Sequence, residues 1–389
     1  MDSSDDEAEQ LSAERVHYDR VYEKFTTDKT QPAKSVKWSI VAPEDLPRTC
    51  IRTKEGTLGT EYPAQMLNVT GPVLKGTYSY FKHLLPPMWL ERFARTANRS
   101  LTEDPIDKNY RKTTPAEIEA IFGECLAAAL MGVDEFATCF AVSPDPNSVF
   151  PPAAFGQYGI SKNRALIIMR AAHLSDGPMQ PPGESEHWFI DNPLEEFNTH
   201  MHNNFRPGWL GCMDESGPMW HGGEGIGDFR LNPHNSFVPR KPEPLCAEVN
   251  DSGCALSRVM TFLEFEKAKA FHGDEKFTDV TGSYNAAMAM RLAQPWANKN
   301  GAIYGDSRFG SVKSAVFTWK HLKVHTAYDV KTATALYPRN EIIRLCPKEN
   351  HATIVMTATV DGVKLYAVGQ RRGPAVHTFL TTFGTFNNW

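Results

Sequence analysis

The chain has 389 residues, with 41 Lys and Arg against 46 Asp and Glu and a formal net charge of −5. This balance gives no support for a strongly basic nucleic-acid-binding composition, and 41% hydrophobic with 11% aromatic residues exclude disorder of the whole chain. No apolar run approaches the ~18 residues of a membrane span, and the acidic start lacks the features of a secretory signal. The seven cysteines contain no C-x-x-C pair, so neither structural zinc nor a disulfide framework is expected, and the chain fits a reducing compartment.

The first 75 residues have the composition of an irregular arm. The first ten, MDSSDDEAEQ, contain five acids and no base. Scattered prolines and turn residues follow, which are typical of irregular structure. We therefore expect residues 1–75 to form a largely irregular acidic arm, and a disordered tail without a role is an open alternative.

Residues 76–208 are expected to be helical. Thr114, Pro115 and Glu117 together form a helix-start signal: a Thr N-cap, Pro at the first helical position and Glu at the third. Apolar residues then recur at helical spacing until Gly132, where the helix is expected to end.

Two further helices are expected in the same region, one after Ser161 and one within residues 193–205. From residue 209 the pattern changes to short apolar strands and helices in alternation, which predicts a mixed α/β core. The strands expected there are residues 209–213, 235–240, 245–249, 258–266, 302–305 and 323–330, and the helices are residues 283–297 and 312–319.

The end of the chain is expected to be β-rich. Two apolar runs flank Asp361-Gly362, a dipeptide that favours a type I′ hairpin turn. A third strand is expected at residues 376–382. Together with the helical region, the pattern predicts two or three domains for a chain of this length.

Two aspartates stand where short apolar runs end. Asp214 follows Trp209-Leu-Gly-Cys-Met, and Asp306 follows Ala302-Ile-Tyr-Gly. Carboxylates at neighbouring strand ends can hold divalent cations, which prefer oxygen ligands. Paired Mg²⁺ ions stabilise both reacting oxygens of a phosphoryl displacement, so this arrangement would suit nuclease-type chemistry. The open alternative is that both aspartates form turns or caps.

Basic residues occur in two groups. Arg240 and Lys241 follow a predicted strand and lie between prolines that fix the backbone, which suits phosphate contact. A solvated turn is the alternative there. The densest basic stretch lies in the helical region, where phosphate contact and a solvated helix face are both open; it consists of Arg92, Arg95, Arg99, Lys108, Arg111 and Lys112.

Several segments, in order, resemble the signatures of PiggyBac-type transposases. The core segments are Met213-Asp-Glu-Ser-Gly-Pro-Met-Trp, Asn235-Ser-Phe-Val-Pro-Arg-Lys-Pro-Glu-Pro-Leu and Tyr304-Gly-Asp-Ser-Arg-Phe-Gly-Ser-Val. Upstream, Thr114-Pro-Ala-Glu-Ile-Glu-Ala-Ile-Phe and residues 190–208 look like the helical dimerisation and DNA-binding part of that family. Each segment alone is unspecific, but the ordered set is specific, and the resemblance covers about residues 76–389.

The resemblance implies an α+β multidomain fold, with an N-terminal helical domain, an RNase H-like mixed α/β core and the start of a β-rich insertion. The implied domains are a largely irregular acidic arm (1–75), a helical dimerisation and DNA-binding domain (76–208), an RNase H-like catalytic core (209–338) and a partial β-rich insertion (339–389). The implied function is that of a transposable-element-derived protein resembling a DDD transposase, which cleaves and transfers DNA strands with two metal ions.

Matched position by position, Asp214 and Asp306 would be the first two of the three catalytic aspartates of that family and ligands of Mg²⁺. The third aspartate of the family lies on a helix beyond the β-rich insertion and has no matching position here. The resemblance therefore implies a catalytically incomplete chain with weak or absent Mg²⁺ binding. Four acids compete as substitutes: Glu341, which has a suitable spacing, and Asp329, Glu349 and Asp361.

The resemblance also implies partners. The helical part of the family touches transposon DNA, which implies DNA contacts at Arg111 and Lys112 besides Arg240 and Lys241. Double-stranded DNA (transposon ends or chromatin), a homodimer and a nuclear location are expected, and no membrane. Three hypotheses stay open: a transposase-derived chain without a competent site, a domesticated DNA- or chromatin-binding scaffold without enzymatic activity, and an active nuclease with an improvised third acid or with its missing part supplied by another chain.

Overall fold

The computed structural model describes residues 36–41, 62–69, 76–103, 111–132, 136–142, 153–175, 188–217, 235–237, 245–267, 272–273, 275–331 and 334–384. The chain divides into two compact units. One is helical and lies within residues 75–197, and the other comprises residues 1–74 and 198–389. The division falls inside one helix, between Phe197 and Asn198, and the domain boundaries inferred from sequence stay predictions.

The described residues of the helical unit form four helices and the first part of a fifth. They are α1 (Gly76–Leu84), α2 (Trp89–Glu103), α3 (Pro115–Met131), α4 (Lys162–Ala171) and α5 (Trp188–Asn204). Short 3₁₀ turns lie at Phe136–Phe140 and Phe155–Tyr158. Helices α2, α3 and α4 share a core that includes Leu90, Ala94, Ile118, Ile121 and Ile168.

The start of α3 has the expected capping box. The Thr114 hydroxyl accepts a hydrogen bond from the Glu117 N–H (3.3 Å), and the Glu117 carboxylate accepts one from the Thr114 N–H (3.2 Å). The helix ends at Met131, and Gly132 closes it with φ of 65°, a conformation that glycine adopts without strain. The structure therefore confirms both ends of this helix as predicted from these local signals.

Helix α5 differs from its prediction. It begins at Trp188, so Pro193 lies inside the helix rather than at its start. The helix expected from sequence lay within residues 193–205, so the first turn and a half of α5 was missed. None of the described helices is long and apolar enough to cross a lipid bilayer.

In the part of the second unit that the structure describes, the strands form a nine-stranded mixed sheet of order β1-β11-β12-β13-β10-β9-β4-β7-β8 and two two-stranded sheets, β2-β3 and β5-β6. The strands are β1 (Ser39–Ile40), β2 (Gln65–Met66), β3 (Phe205–Arg206), β4 (Leu210–Ser216), β5 (Asn235–Phe237), β6 (Leu245–Ala247), β7 (Val249–Cys254), β8 (Met260–Phe265), β9 (Ala302–Gly305), β10 (His325–Asp329), β11 (Thr353–Val360), β12 (Val363–Arg372) and β13 (Ala375–Thr381). Its helices are α6 (Thr278–Thr281), α7 (Tyr284–Ala293), α8 (Val312–Phe317), which continues as a π turn over Thr318–Leu322, and α9 (Arg339–Leu345).

Five consecutive strands at one end of the large sheet carry the candidate site. β4 pairs antiparallel with β7, and β7 pairs antiparallel with β8. On its other side β4 pairs parallel with β9, which pairs parallel with β10. Parallel strands end at the same edge of a sheet, so β4, β9 and β10 bring their carboxyl ends together.

One face of this sheet is covered by α7 and α8. Met213, Ile303 and Tyr328 contribute to the buried core on that face. Trp296 is fully buried there, and its indole N–H donates to the Gly208 carbonyl (2.8 Å). A Cβ atom at position 211 would lie only 2.4 Å from the Trp296 ring. The side chain of any other residue would therefore clash here, and Gly211 lets β4 pack closely against this tryptophan.

The last three strands extend the same sheet. The turn between β11 and β12 has positive φ at both Asp361 (47°) and Gly362 (79°), as a type I′ hairpin requires. β13 pairs antiparallel with β10, so the β-rich residues at the end of the chain continue the sheet that contains β9 and β10, and their assignment as a partial insertion stays a prediction.

Two segments of the expected irregular arm form strands. β1 pairs with β11, and the Trp38 indole N–H donates to the Leu336 carbonyl (2.8 Å). β2 pairs with β3. The remaining residues of the arm lie outside the described ranges.

Candidate functional site

The strand register places three aspartates at one level. Met213 pairs with Gly305 across β4 and β9, and Gly305 pairs with Tyr328 across β9 and β10. Asp214, Asp306 and Asp329 follow these three residues directly. Neighbouring strands lie about 4.8 Å apart, so Asp214 and Asp306 are side by side, and Asp329 is next to Asp306.

The three aspartates border one cavity of about 630 Å³ on the sheet face opposite α7 and α8. Apolar and aromatic side chains form much of its lining, among them Ala327, Val368 and Phe379. Further along the sheet the lining becomes polar and includes Gln370 and Arg372. A cavity of this size with charged groups at its edge is typical of a binding site.

Backbone hydrogen bonds fix one oxygen of each central carboxylate. Asp214 Oδ1 accepts from the Glu215 N–H (2.8 Å), and Asp306 Oδ1 accepts from the Arg308 N–H (2.7 Å). The other oxygen of each side chain takes no part in these bonds. Asp214 is exposed and Asp306 is half-buried, so both carboxylates can meet a ligand.

An arginine links the two strand ends behind the aspartates. Arg308 forms ion pairs with Glu215 (3.3 Å) and Glu266 (3.0 Å), and its guanidinium also contacts Glu248. Glu215 follows Asp214 on β4, whereas Arg308 lies two residues after Asp306. This ion-pair group therefore ties the end of β4 to the loop that follows β9.

Two further carboxylates lie beside the central pair. Asp251 pairs with Asp214 across β7 and β4; burial raises its pKa, a hydrogen bond from the Ser216 hydroxyl lowers it, and the Asp214 charge raises it. Partial burial raises the pKa of Asp329, the Asp306 charge raises it further, and electrostatic interactions with His377 and Arg372 lower it. The edge of the cavity is therefore strongly acidic.

The structure does not test the DNA contacts predicted from sequence. Arg240 and Lys241 lie outside the described residues. Arg111 and Lys112 are exposed in the helical unit just before α3, where the Arg111 guanidinium pairs with Glu117 (2.6 Å). Their DNA-binding roles stay predictions.

The four acids that compete for the third ligand position differ in whether they line the cavity. Asp329 lines the cavity with Asp214 and Asp306. Glu341 is exposed in the first turn of α9 and is absent from the described lining. Glu349 and Asp361 lie in turns before β11 and after it, and neither belongs to the described lining.

Sequence reasoning gave Asp329 no preference and did not find Asp251 or Arg372. Asp329 ends the apolar run Thr326-Ala-Tyr, which is the same signal that singled out Asp214 and Asp306. Asp251 and Arg372 carry no such signal, because their place depends on which strands become neighbours.

The donor chemistry of the edge fits a hard divalent cation. Carboxylate oxygens are the ligands that Mg²⁺ prefers, and Asp214 and Asp306 present them side by side. Among the residues that the structure describes, no three His, Cys, Asp or Glu side chains are grouped closely enough to hold a metal ion.

Comparison with known sequences shows the family of this chain. Residues 77–326 match the sequence model of the transposase IS4 family, which covers more than half of the chain. The chain therefore belongs to the transposase IS4 family. No curated protein matches it.

A solved structure with the same fold is the piggyBac transposase synaptic complex with hairpin DNA. The TM-score is 0.58 at 17% sequence identity, over 78% of this chain and 60% of that one. The chain thus spans about 60% of the length of that transposase. Together the two matches confirm the resemblance to PiggyBac-type transposases that the sequence motifs indicated.

Proposed function

We propose that the second unit is an RNase H-like core that binds DNA and places a phosphodiester at the edge formed by Asp214 and Asp306. The observation that carries this proposal is the register of β4 with β9, which sets the two aspartates side by side at one cavity. An antiparallel three-stranded meander joined to two parallel strands supports the RNase H-like assignment. The similar piggyBac transposase is in complex with hairpin DNA, which supports DNA as the partner.

In this proposal Asp214 and Asp306 hold Mg²⁺ through their carboxylate oxygens. When bound, Mg²⁺ would stabilise negative charge on the phosphodiester. The Glu215 and Arg308 backbone N–H groups orient the two carboxylates, and the Arg308 ion pairs keep the two strand ends together. The resembled family uses a third acid for strand transfer, so we expect this chain alone to bind DNA without transferring strands. Homodimerisation and a nuclear location are proposed on the same family grounds.

A DNA-binding measurement with and without divalent cation tests this function. We expect Mn²⁺ or Mg²⁺ to tighten binding of a labelled mixed-sequence duplex, because the cation offsets repulsion between phosphates and the two carboxylates. Asp214→Asn and Asp306→Asn should each remove this increment and should bind more tightly than wild type in EDTA. Fluorescence anisotropy measures both effects.

The matched control is Asp361→Asn, which removes the same charge in the β11–β12 turn, where asparagine tolerates the positive φ. It should keep the wild-type cation dependence. A cation increment that survives in both Asp214→Asn and Asp306→Asn would refute the proposed site.

The second candidate function is DNA or chromatin binding without cation chemistry. It is favoured by one observation: the part of the chain that the structure describes contains no group of three potential metal ligands. Under this alternative the duplex binds with the same affinity in EDTA and in Mn²⁺. The experiment above therefore separates the two functions.

A further inference from the structure

The last hairpin of the sheet continues past the aspartates. Asp329 pairs with Phe379 on β13, while His377 pairs with Gln370 on β12. His377 lies two residues beyond Phe379, about 7 Å further along the strand. The hairpin therefore projects beyond the level at which β10 ends.

Strand alternation sets which side chains of this projection face the cavity. Directly paired residues share a face, and residues two apart on a strand do as well. Phe379 pairs with Val368, so Gln370 and Arg372 lie on the face that carries Asp329. Both of them line the cavity. They form a polar wall beside the row of aspartates.

Arg372 supplies the positive charge of this wall. Its Nε donates to Gln370 Oε1 (3.0 Å), and the two terminal nitrogens take no part in that bond. The side chain is exposed at the end of β12. Its charge is close enough to the acidic edge to lower the pKa of Asp329.

A DNA strand that enters this cavity meets an electrostatic conflict. Its phosphates are anions, and the edge it must reach carries Asp214, Asp306 and Asp329. A guanidinium on the adjoining wall can bind a neighbouring phosphate through two parallel hydrogen bonds and offset this repulsion.

We propose that Arg372, oriented by Gln370, is a phosphate-binding subsite that holds the DNA backbone next to the aspartate edge. This inference rests on the proposed function, because it names a positioning contact for the same DNA. The competing explanation is that Arg372 only compensates the charge of Asp329.

The salt dependence of duplex binding tests the subsite. Each phosphate contact contributes about 0.9 to the slope of log affinity against log salt. We expect Arg372→Gln to lower the slope by about this amount, and to weaken binding of unrelated duplex sequences equally. Arg372→Lys keeps the charge and should keep the slope.

Lys364→Gln is the matched control. Lys364 lies on β12 on the same face as Arg372, eight positions earlier, or about 26 Å away. Its removal should leave the slope unchanged. Thermal unfolding of each variant verifies that it is folded.

The outcomes separate the two levels of the proposal. A wild-type slope in Arg372→Gln would overturn the subsite while leaving DNA binding intact, and would leave Arg372 as a charge partner of Asp329. Absence of salt-dependent duplex binding by the wild-type chain would overturn the proposed function itself, and the subsite with it.

Discussion

Glu124 is a buried carboxylate in the helical unit without a hydrogen-bond partner among the described residues. It is 5% exposed on α3, and both of its oxygens are unpaired. Burial raises the pKa of its carboxyl above the ordinary value of 4.5. The folded state therefore holds the proton more tightly than the unfolded state. Stability is then lost as the pH rises from about 4.5 through the folded pKa.

Glu124→Gln should remove this loss, because the amide keeps the size of the side chain without its charge. We expect a higher melting temperature than wild type at neutral and mildly alkaline pH, and a smaller difference near pH 4. Thermal unfolding across this pH range measures it. Glu91→Gln, an exposed change on α2, should stay within about 0.5 kcal/mol of wild type at each pH. A lower melting temperature for Glu124→Gln at alkaline pH would contradict the account.

At the same scale, the sequence identified some site residues and not others. Asp214 and Asp306 were found because a carboxylate at the end of an apolar run is visible in the sequence. Arg372 was not found, because its position beside them depends on β12 lying two strands away from β10. This arrangement arises from pairing between strands that are distant in sequence, and the spacing of nearby residues does not predict it.

Arg308 acts at the scale of elements, since it connects the end of β4 with the loop after β9. Its side chain is 21% exposed, and its partners Glu215, Glu248 and Glu266 are 18%, 10% and 12% exposed. Arg308→Met would leave three mostly buried carboxylates without their shared cation. Removing one partner of a buried ion pair costs about 3–5 kcal/mol.

We therefore expect Arg308→Met to lower the free energy of unfolding by about 3 kcal/mol or more, measured by urea denaturation. Arg344→Met removes an exposed arginine from the last turn of α9, and should change it by less than about 0.5 kcal/mol. If Arg308→Met unfolded with the wild-type free energy, as the control is expected to do, the ion-pair group would not be what holds the two strand ends together.

Elements with local signals were the ones predicted well. The capping box at Thr114 and the Asp361-Gly362 turn each specify a structure within a few residues, and both formed as expected. By contrast, β7 was not predicted as a strand of its own. Its sequence Val-Asn-Asp-Ser-Gly-Cys is polar, and it is a strand because it is held between β4 and β8.

At the scale of the whole molecule, the large sheet assembles from β1 and three further stretches of chain. The meander β4-β7-β8, the parallel strands β9 and β10, and the hairpins β11-β12-β13 pair in an order that differs from their order in sequence. The alternation of predicted strands and helices was enough to predict a mixed α/β fold class. It was not enough to predict strand order, because strand order depends on pairing between strands that lie far apart in the sequence.

The central claim is that Asp214 and Asp306 share one cation, and Mn²⁺ binding tests it most directly. Electron paramagnetic resonance of free Mn²⁺ should show a weak site in the wild-type chain that Asp214→Asn and Asp306→Asn each abolish. The double variant should then be no worse than either single variant, because the two residues act as one unit. Independent losses that add in the double variant, or a wild-type chain without such a site, would contradict the claim.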